Sequence, residues 1–283
     1  MCAKQKKPSG REAFEEYYSS LFPERWQKIK EAFVKENTPV EYHIPGAEKS
    51  YFLDSASVLA ALCLPLDESE NILDLCAAPG GKTLVIASRM SSDARLSSNE
   101  RSPERKHRLA TVVSECLPES ISSRILVSCS DGATWCRRQT ECFDRILLDA
   151  PCSSERHVFN DEKYLSQWSL SRIKTVAMEE WALLSSAFRL LTPGGIMVYS
   201  TCALCPQEND GMMERLVKKF GKEENSVTFL EAKPELSEIK DFVNDDFKLP
   251  PYEKTQYGYQ ILPDTSGGAG PIYFSIISKQ ILN

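Results

Sequence analysis

The sequence predicts a doubly wound α/β fold built on a mostly parallel, Rossmann-like sheet. Apolar runs alternate with amphipathic helical patterns through the middle of the chain, which is typical of parallel strands joined by crossover helices. A glycine-rich turn, DLCAAPGGKT over 74–83, directly follows the first buried run of this series. Towards the C-terminus, two apolar runs flank a glycine-rich link, and this indicates an antiparallel pair at the edge of the sheet.

The predicted elements follow one another along the chain. Two short amphipathic helices come first, carried by apolar residues at helical spacing: Phe14, Tyr17, Tyr18 and Leu21, then Trp26, Ile29 and Phe33. Asp54 or Ser55 can cap a third helix that runs through Leu64. The later segments alternate between strand and helix. The predicted strands are NILDL, ARLSSN, RILVSCS, DRILLDA and IMVYST. One predicted helix begins at Lys82, a second begins at Ser102 with Pro103 in its first turn, and a long third helix, between DRILLDA and IMVYST, ends before Pro193. GYQILPD and IYFSIIS are the predicted antiparallel pair.

Length and composition favour one large domain with a small extension. At 283 residues and 42% hydrophobic content, the chain can bury a sizeable core. We assign residues 1–50 to an N-terminal helical extension and residues 51–283 to the α/β domain. No apolar run approaches the roughly 20 residues of a membrane span, so we expect no membrane contact and a cytoplasmic protein. The ten cysteines are scattered through predicted strands and helices, and we expect reduced thiols.

Acidic residues end most of the predicted parallel strands. In an open parallel sheet, ligands bind outside the carboxyl ends of the strands. These ends are Asp74 with the turn through Lys82, then Glu100, Asp131 with Gly132, Asp149, and finally Cys202. A single acid at such a place often only forms a turn. Four acids together with a glycine-rich turn favour a ligand site.

The glycine-rich turn does not match the two common nucleotide motifs. A phosphate-binding loop would require glycine where Cys76 stands, and the adjacent Gly80 and Gly81 do not fit GxGxxG. These glycines let the backbone approach a ligand, the helix that begins there offers N–H groups to a carboxylate, and Lys82 adds a charge. Glu100 suits ribose hydroxyls. The pattern therefore indicates S-adenosylmethionine.

Two cysteines follow the ends of predicted strands. Cys152 lies in DAPCSSERH and Cys202 lies in VYSTCALCP, and a cysteine at a strand end can act as a nucleophile that faces a cofactor. Most free cysteines are only small buried hydrophobes. Cys202 and Cys205 also form a CxxC, but this motif lacks a second pair of ligands and 206–208 is typical of a helix start. We therefore predict no metal site.

These segments, in this order, resemble the Nop/Sun family of RNA cytosine-5 methyltransferases. That family has a glycine-rich cofactor loop, a Pro-Cys after strand four and a Thr-Cys after strand five, and the resemblance runs from about Tyr51 to Lys279. Within the family, YFLDSASVLAAL, the run that ends at Trp135, DAPCSSERH and GAGPIYF are most similar to the mitochondrial ribosomal-RNA member. The resemblance implies a class I methyltransferase that moves a methyl group from S-adenosylmethionine to carbon 5 of cytosine in RNA, above all ribosomal RNA.

The resemblance also implies residue roles. Cys202 would attack carbon 6 of the cytosine, Cys152 would assist resolution of the covalent intermediate, and Asp149 would hydrogen-bond the amino edge and ring nitrogen 3. It adds Arg105, Asp131 and Gly132 to the cofactor site. The predicted cofactor contacts are then Cys76, Ala77, Ala78, Pro79, Gly80, Gly81, Lys82, Glu100, Arg105, Asp131, Gly132 and Asp149.

The net charge of −6 is unusual for a protein that binds RNA, because such proteins generally carry a basic surface. A local basic group follows the second strand, at Arg101, Arg105, Lys106 and Arg108. No appended RNA-binding domain is visible. We expect selectivity for RNA to come from the N-terminal helices, from a 155–168 loop that carries His157, or from a protein partner that supplies RNA affinity.

Three alternatives stay open. The first is a transfer-RNA cytosine-5 methyltransferase. The second is a DNA cytosine-5 methyltransferase, in which the Pro-Cys thiol would be the attacking group, although the Thr-Cys after strand five argues against it. The third is a non-catalytic RNA-binding assembly factor that keeps the fold. The presence of both cysteines and all the strand-end acids disfavours this last alternative.

Overall fold

The structure is a computed structural model that describes residues 9–35, 38–221 and 226–281. The helices are α1 (Arg11–Leu21), α2 (Trp26–Val34), α3 (Ser55–Leu62), α4 (Gly81–Ala87), α5 (Pro103–Glu115), α6 (Glu119–Ser122), α7 (Glu155–Asn160), α8 (Glu162–Ser166), α9 (Leu170–Leu190) and α10 (Asp210–Phe220). The strands are β1 (Val40–Tyr42), β2 (Tyr51–Leu53), β3 (Asn71–Asp74), β4 (Arg95–Glu100), β5 (Ile125–Cys129), β6 (Phe143–Asp149), β7 (Leu191–Thr201), β8 (Val227–Leu230), β9 (Glu253–Lys254), β10 (Tyr259–Ile261) and β11 (Ile272–Lys279).

Nine strands form the central sheet, in the order β5-β4-β3-β6-β7-β11-β10-β9, with β8 also paired to β11. The strands from β5 to β7 are parallel to one another. Strand β11 runs antiparallel to both β7 and β10. This topology confirms the predicted fold class, a mostly parallel sheet with an antiparallel pair at one edge. The chain reverses direction across the sheet between β3 and β6, so the glycine-rich turn after β3 lies at the topological switch point.

Helices cover both faces of the parallel strands. Successive residues of β6 point to opposite sides of the sheet, so Leu147 packs in one apolar cluster while Ile146 and Leu148 pack in another. The first cluster contains residues of α3, α4 and α5, and the second contains residues of α9 and α10. The middle of β6, at 146–148, is buried on both faces and has a continuous apolar sequence, whereas β4, with the sequence RLSSNE, is mostly polar.

The two predicted N-terminal helices are present as α1 and α2, and their aromatic side chains are packing residues. Phe14 and Tyr18 are fully buried, and the ring of Phe14 lies 5.4 Å from that of Trp168. With Trp26 they form a third apolar cluster that also contains residues of α7 and α8. Aromatic side chains buried in this way cannot stack on RNA bases, so these rings do not form the RNA contact expected of the N-terminal helices.

Four local predictions differ from the structure. The 155–168 segment was predicted as a loop but forms α7 and α8, because apolar side chains such as Leu165 pack against the N-terminal helices. The helix predicted at 206–208 begins at Asp210, and the one predicted through Leu64 ends at Leu62. Strand β7 begins at Leu191, before Pro193 and before the predicted strand IMVYST. A register shift between β7 and β6 accommodates residues 193–195 within the strand.

An antiparallel hairpin of β1 and β2 precedes the sheet and was not predicted. The nine described cysteines are all free thiols. In the part of the chain that the structure covers, no helix combines the length and the apolar character needed to cross a membrane.

Candidate active site

A pocket of about 210 Å³ opens where β3 and β6 end. The glycine-rich turn forms one wall, Asp149 forms a second, and the β2 strand with the start of α3 forms a third. The pocket is lined by Tyr51, Phe52, Leu53, Asp54, Ser57, Asp74, Cys76, Ala77, Ala78, Pro79, Gly81, Lys82 and Asp149. The structure thus brings together Asp149 and most of the turn residues predicted to hold a cofactor. We call this space the cofactor pocket.

Two glycines of the turn are required for different reasons. Gly80 has φ of +123°, which strains any other residue, and a Cβ there would meet Cγ1 of Val112 at 2.8 Å. A Cβ on Gly81 would meet a ring carbon of Tyr51 at 3.0 Å, on the wall of the pocket. Gly80 therefore allows the turn to pack on α5, and Gly81 keeps the pocket open.

Lys82 and Asp149 form an ion pair in the wall of the cofactor pocket. Lys82 Nζ lies 2.7 Å from Asp149 Oδ2 and donates a hydrogen bond to Ser57 Oγ at 3.2 Å. Ser200 Oγ donates to the other Asp149 oxygen at 2.7 Å. Burial lowers the pKa of Lys82, but the Asp149 carboxylate more than offsets this effect and the pKa is raised. The lysine is thus a fixed cation that holds Asp149 in one orientation.

Two buried acceptors near the turn receive no hydrogen bond from the described residues: Asp74 Oδ1 and Glu100 Oε2. The other Asp74 oxygen accepts from Thr83 Oγ1 at 2.7 Å, and burial raises the pKa of Asp74 to about 7. An unmatched buried acceptor costs about 1–3 kcal/mol. S-adenosylmethionine carries donors in its amino group and its ribose hydroxyls. Asp74 lines the cofactor pocket, so its unmatched oxygen fits a donor of this cofactor.

Glu100 and Arg105 connect the end of β4 to the glycine-rich turn. Glu100 Oε1 accepts the Ser102 N–H at 3.0 Å, and its Oε2 lies 3.4 Å from Arg105 Nη1. Arg105 Nη2 donates to the Ala78 carbonyl at 2.7 Å. Arg105 therefore fixes the position of the turn. Glu100 and Arg105 do not line the described cofactor pocket, and contact between Glu100 and a ribose hydroxyl stays a prediction.

Asp131 and Gly132 lie outside the described walls of the cofactor pocket. Asp131 caps a short 3₁₀ helix, because its Oδ1 accepts the Ala133 N–H at 3.1 Å. A Cβ on Gly132 would meet Cδ1 of Leu75 at 2.7 Å, so close packing requires the glycine. Both residues have a structural explanation, and contact between them and adenine stays a prediction.

We expect Glu100→Ala to weaken S-adenosylmethionine binding about tenfold, in line with about 1.5–3 kcal/mol for a hydrogen bond to a charged group. Calorimetric titration measures the change. Glu104→Ala is the matched control, since Glu104 is exposed and pairs only with Arg108 in the described structure. Equal affinities for the two variants would show that the ribose binds elsewhere.

Cys152 and Cys202 lie side by side beyond the ends of β6 and β7. Their sulfur atoms are 2.9 Å apart, and the Cys202 backbone N–H donates to Cys152 Sγ at 3.2 Å. Ser154 adopts a left-handed conformation, with φ of +52°, and its Oγ lies 3.1 Å from Cys202 Sγ. The two predicted catalytic cysteines thus form one site with a shared hydroxyl partner.

The hydrogen bond between the thiols makes them chemically different. It lowers the pKa of Cys202, further helped by Ser154 and opposed by burial. It raises the pKa of Cys152, and burial acts in the same direction. These opposite directions favour Cys202 as the sulfur that ionises first, and in that state Cys152 is the thiol that donates. Because the thiolate is the nucleophilic form, this order favours Cys202 as the attacking group.

A second pocket, of about 450 Å³, contains Cys202 and adjoins the cofactor pocket. The two pockets share Asp54 and Ser57. The remaining walls are Ser154, Arg156, His157, Asn160, Gly270, Pro271 and Ile272. We call this space the base pocket. His157 lies in it on α7 rather than on a loop, and its contact with RNA stays a prediction.

Three serines that were not singled out from the sequence complete the site. Ser57 and Ser200 hydrogen-bond the Lys82–Asp149 ion pair, and Ser154 lies beside the thiols. Serine is common in turns and helix caps, so the sequence gives no reason to single out Ser57 or Ser154, and only Ser200 carries a recognisable signal. Ser200 is a polar residue within an apolar strand, and such a residue needs a buried partner.

A mostly parallel sheet with a pocket at its switch point defines a doubly wound α/β protein that binds its ligand outside the carboxyl ends of the strands. The chain matches the family model described as 16S rRNA methyltransferase RsmB/F over residues 61–267. It therefore belongs to the RsmB/F family, the Nop/Sun group that the motifs resemble.

Curated relatives match most of the chain. The mouse "5-cytosine rRNA methyltransferase NSUN4" is 31% identical over 81% of this chain and 60% of that protein. The mouse mitochondrial "tRNA (cytosine(34)-C(5))-methyltransferase" is 30% identical over 85% and 67%. "Ribosomal RNA small subunit methyltransferase F" of Aeromonas salmonicida is 41% identical over 60% and 36%. The chain spans about 60% of the first of these relatives.

Solved structures share the fold. A methyltransferase homologue from Pyrococcus horikoshii superposes with a TM-score of 0.69 at 21% identity, over 95% of this chain and 94% of that one. NSun6 from the same organism superposes with a TM-score of 0.63 at 20% identity, over 84% and 55%. These similarities agree with the sheet order described above.

Proposed function

We propose that this protein methylates carbon 5 of cytosine in ribosomal RNA, with S-adenosylmethionine as methyl donor and a covalent cysteine adduct as intermediate. The observation that carries the proposal is the placement of Cys202. Its thiol has a lowered pKa and lines a pocket that shares two wall residues with the cofactor pocket. A base held against Cys202 would therefore lie next to the bound cofactor.

The chemistry explains why a thiol is needed. Carbon 5 of cytosine is a poor nucleophile, and addition of the Cys202 thiolate to carbon 6 makes carbon 5 enamine-like. The sulfonium of S-adenosylmethionine then supplies the methyl group. Loss of the carbon-5 proton and cleavage of the bond between sulfur and carbon 6 release the product. We assign Cys152, whose Sγ lies 2.9 Å from that of Cys202, to this release step: once its own proton has passed to solvent, its thiolate would take up the carbon-5 proton as the Cys202 sulfur leaves carbon 6.

We assign Asp149 to holding the base. Its carboxylate is fixed by Lys82 on one oxygen and Ser200 on the other, and it lies in the wall of the cofactor pocket. A carboxylate oriented in this way can accept a hydrogen bond from the amino group of cytosine. It can also stabilise a proton at ring nitrogen 3 as the adduct forms, since preorganised groups need no rearrangement during reaction.

The class of RNA rests on the relatives. The family model and NSUN4 are named for ribosomal RNA, which supports a ribosomal substrate. The mitochondrial relative named for cytosine 34 of transfer RNA is almost as similar, and it makes transfer RNA the second candidate. The order of thiol ionisation argues against the DNA-type assignment, in which Cys152 would attack. The intact thiol pair argues against an assembly factor without catalysis.

In the decisive test, the purified protein is incubated with methyl-labelled S-adenosylmethionine and one of three nucleic acids: small-subunit ribosomal RNA, bulk transfer RNA or duplex DNA. We expect label in ribosomal RNA, and bisulfite sequencing should place it at a cytosine. Label in transfer RNA alone would move the substrate to the second candidate. If no nucleic acid is labelled while the cofactor still binds, either the function is different or a protein partner must supply the RNA affinity that an acidic chain lacks. Repeating the assay in a cell extract that contains ribosomal subunits distinguishes these two explanations.

A further inference from the structure

Two segments carry the reactive thiols: the Cys152 loop, residues 152–155, and the Cys202 loop, residues 202–208. Glu155, in the first, has a side chain with no exposed surface. Its Oε2 accepts the backbone N–H of Leu204 in the second loop at 2.9 Å. Its Oε1 accepts the hydroxyl of Ser153 at 2.6 Å. Glu155 therefore ties its own loop to the Cys202 loop.

Glu208, in the Cys202 loop, makes the reciprocal contact. Its side chain is also fully buried, and its Oε2 accepts the backbone N–H of Ser153 at 2.7 Å. Its backbone carbonyl accepts the hydroxyl of Tyr199 at 2.7 Å, which anchors the residue to β7. Each cysteine loop thus supplies the carboxylate that binds a backbone amide of the other loop.

The location of these acids calls for an explanation. A carboxylate away from water is costly unless it accepts good hydrogen bonds. Neither Glu155 nor Glu208 lines the cofactor pocket or the base pocket as the structure describes them, so contact with substrate does not account for either. What both of them do contact is the backbone next to the two thiols.

We propose that Glu155 and Glu208 are positioning residues that hold the two thiols at 2.9 Å and thereby set the reactivity of Cys202. The inference rests on the covalent role proposed for Cys202. A hydrogen bond from the Cys152 thiol favours the Cys202 thiolate only while the sulfurs stay this close, and two loops without a link would not fix that distance.

A third buried glutamate, Glu180 on α9, completes the arrangement and provides a control. Both of its oxygens, and Oε1 of Glu208, have no donor among the described residues. Burial raises the pKa of Glu180 to about 11 and that of Glu208 to about 7. Glu180 is therefore a protonated acid at neutral pH, able to donate to the free oxygen of Glu208. Glu180→Gln keeps a donor there and leaves both loop contacts in place.

The test compares Glu208→Gln, Glu208→Asp and Glu208→Ala in the full chain, without RNA or cofactor. One measurement is the rate at which diamide, which takes up two electrons and two protons, joins Cys152 to Cys202 as a disulfide. The other is the rate of Cys202 alkylation by iodoacetamide at pH 7. Digestion and mass spectrometry identify the modified cysteines.

The variants separate hydrogen bonding from charge. The glutamine reaches Ser153 and still accepts its N–H, so we expect Glu208→Gln to match the wild type and the Glu180→Gln control. The aspartate keeps the charge but is one carbon shorter. We expect both reactions to slow about tenfold in Glu208→Asp and Glu208→Ala, the scale of one lost hydrogen bond to a charged group. Wild-type rates of both reactions in Glu208→Ala would overturn the inference. So would wild-type rates in Glu208→Asp combined with slowed rates in Glu208→Gln.

One further measurement uses the unaltered protein, in case the aspartate and alanine variants do not fold. The amides of Ser153 and Leu204 should exchange hydrogen as slowly as those of β6 and β7, because buried acceptors hold them. Exchange within seconds would contradict the inference. None of these measurements depends on methyl transfer, so failure of the positioning role and failure of the proposed function are distinguishable.

Discussion

Replacing Cys202 by alanine is expected to abolish both 5-methylcytosine formation and the covalent RNA adduct. The substitution removes the sulfur that must bond to carbon 6, and the remaining thiol of the pair, Cys152, does not line the described base pocket. Methyl transfer should fall by about four orders of magnitude or more, the scale seen when a catalytic nucleophile is removed. Labelled methyl transfer and denaturing gels of protein with RNA measure the two losses.

Cofactor affinity should survive this change, since Cys202 does not line the described cofactor pocket. Cys205→Ala is the matched control. Cys205 lies three residues after Cys202, and its thiol is hydrogen-bonded to Tyr17 and Gln207 rather than to Cys152. The control should keep the adduct. Methylation at the wild-type rate in Cys202→Ala would exclude the covalent role assigned to this sulfur.

Cys152→Ala is expected to have the opposite effect on the adduct. The attacking thiol remains and methyl transfer stays possible, but the group assigned to release is absent. A complex of protein and RNA that survives denaturing electrophoresis should therefore accumulate, while multiple turnover falls by about 10²–10⁴-fold, the usual contribution of a positioned acid or base. A single-turnover assay would show one methyl group per trapped complex.

A pH dependence follows from the same contact. The Cys152 thiol lowers the pKa of Cys202, so its removal raises that pKa and leaves less thiolate at neutral pH. Adduct formation by Cys152→Ala should consequently be slow near pH 7 and accelerate as the pH rises, more steeply than in the wild type. If Cys152→Ala instead prevents the adduct and Cys202→Ala traps it, the two roles are reversed and the DNA-type assignment gains support.

Much of this site is readable from sequence because its chemistry lies at the ends of strands. Apolar periodicity locates each strand, and the geometry of parallel sheets then brings their carboxyl ends to one edge. The glycine-rich turn, Asp149 and both cysteines are found in this way. The structure places the turn, Asp149 and Cys202 around two adjoining pockets, with Cys152 in contact with Cys202. Fold class and the strand-end residues follow from local patterns plus one general rule of topology, whereas Arg105 and the separate roles of the two cysteines come from the family resemblance.

Contacts between distant segments are what sequence reasoning does not find. The β1–β2 hairpin supplies Phe52 to the cofactor pocket, yet nothing near that residue indicates which part of the sheet it meets. Glu155 and Glu208 are surface-type residues in the sequence, and only tertiary packing buries them. Conversely, Asp131 and Gly132 have local structural reasons for their identity, in capping and packing, that a strand-end pattern cannot distinguish from ligand binding.

The position of β11 in the chain determines when, during synthesis, the pocket beside Cys202 can be completed. This strand, at 272–279, pairs with β7, β8 and β10, and the residues at its start line the base pocket beside Cys202. During synthesis the glycine-rich turn and both thiols leave the ribosome well before this strand does. A nascent chain therefore lacks one side of the base pocket until this strand has emerged. Completion of the sheet is also the step that closes the pocket beside the Cys202 thiol.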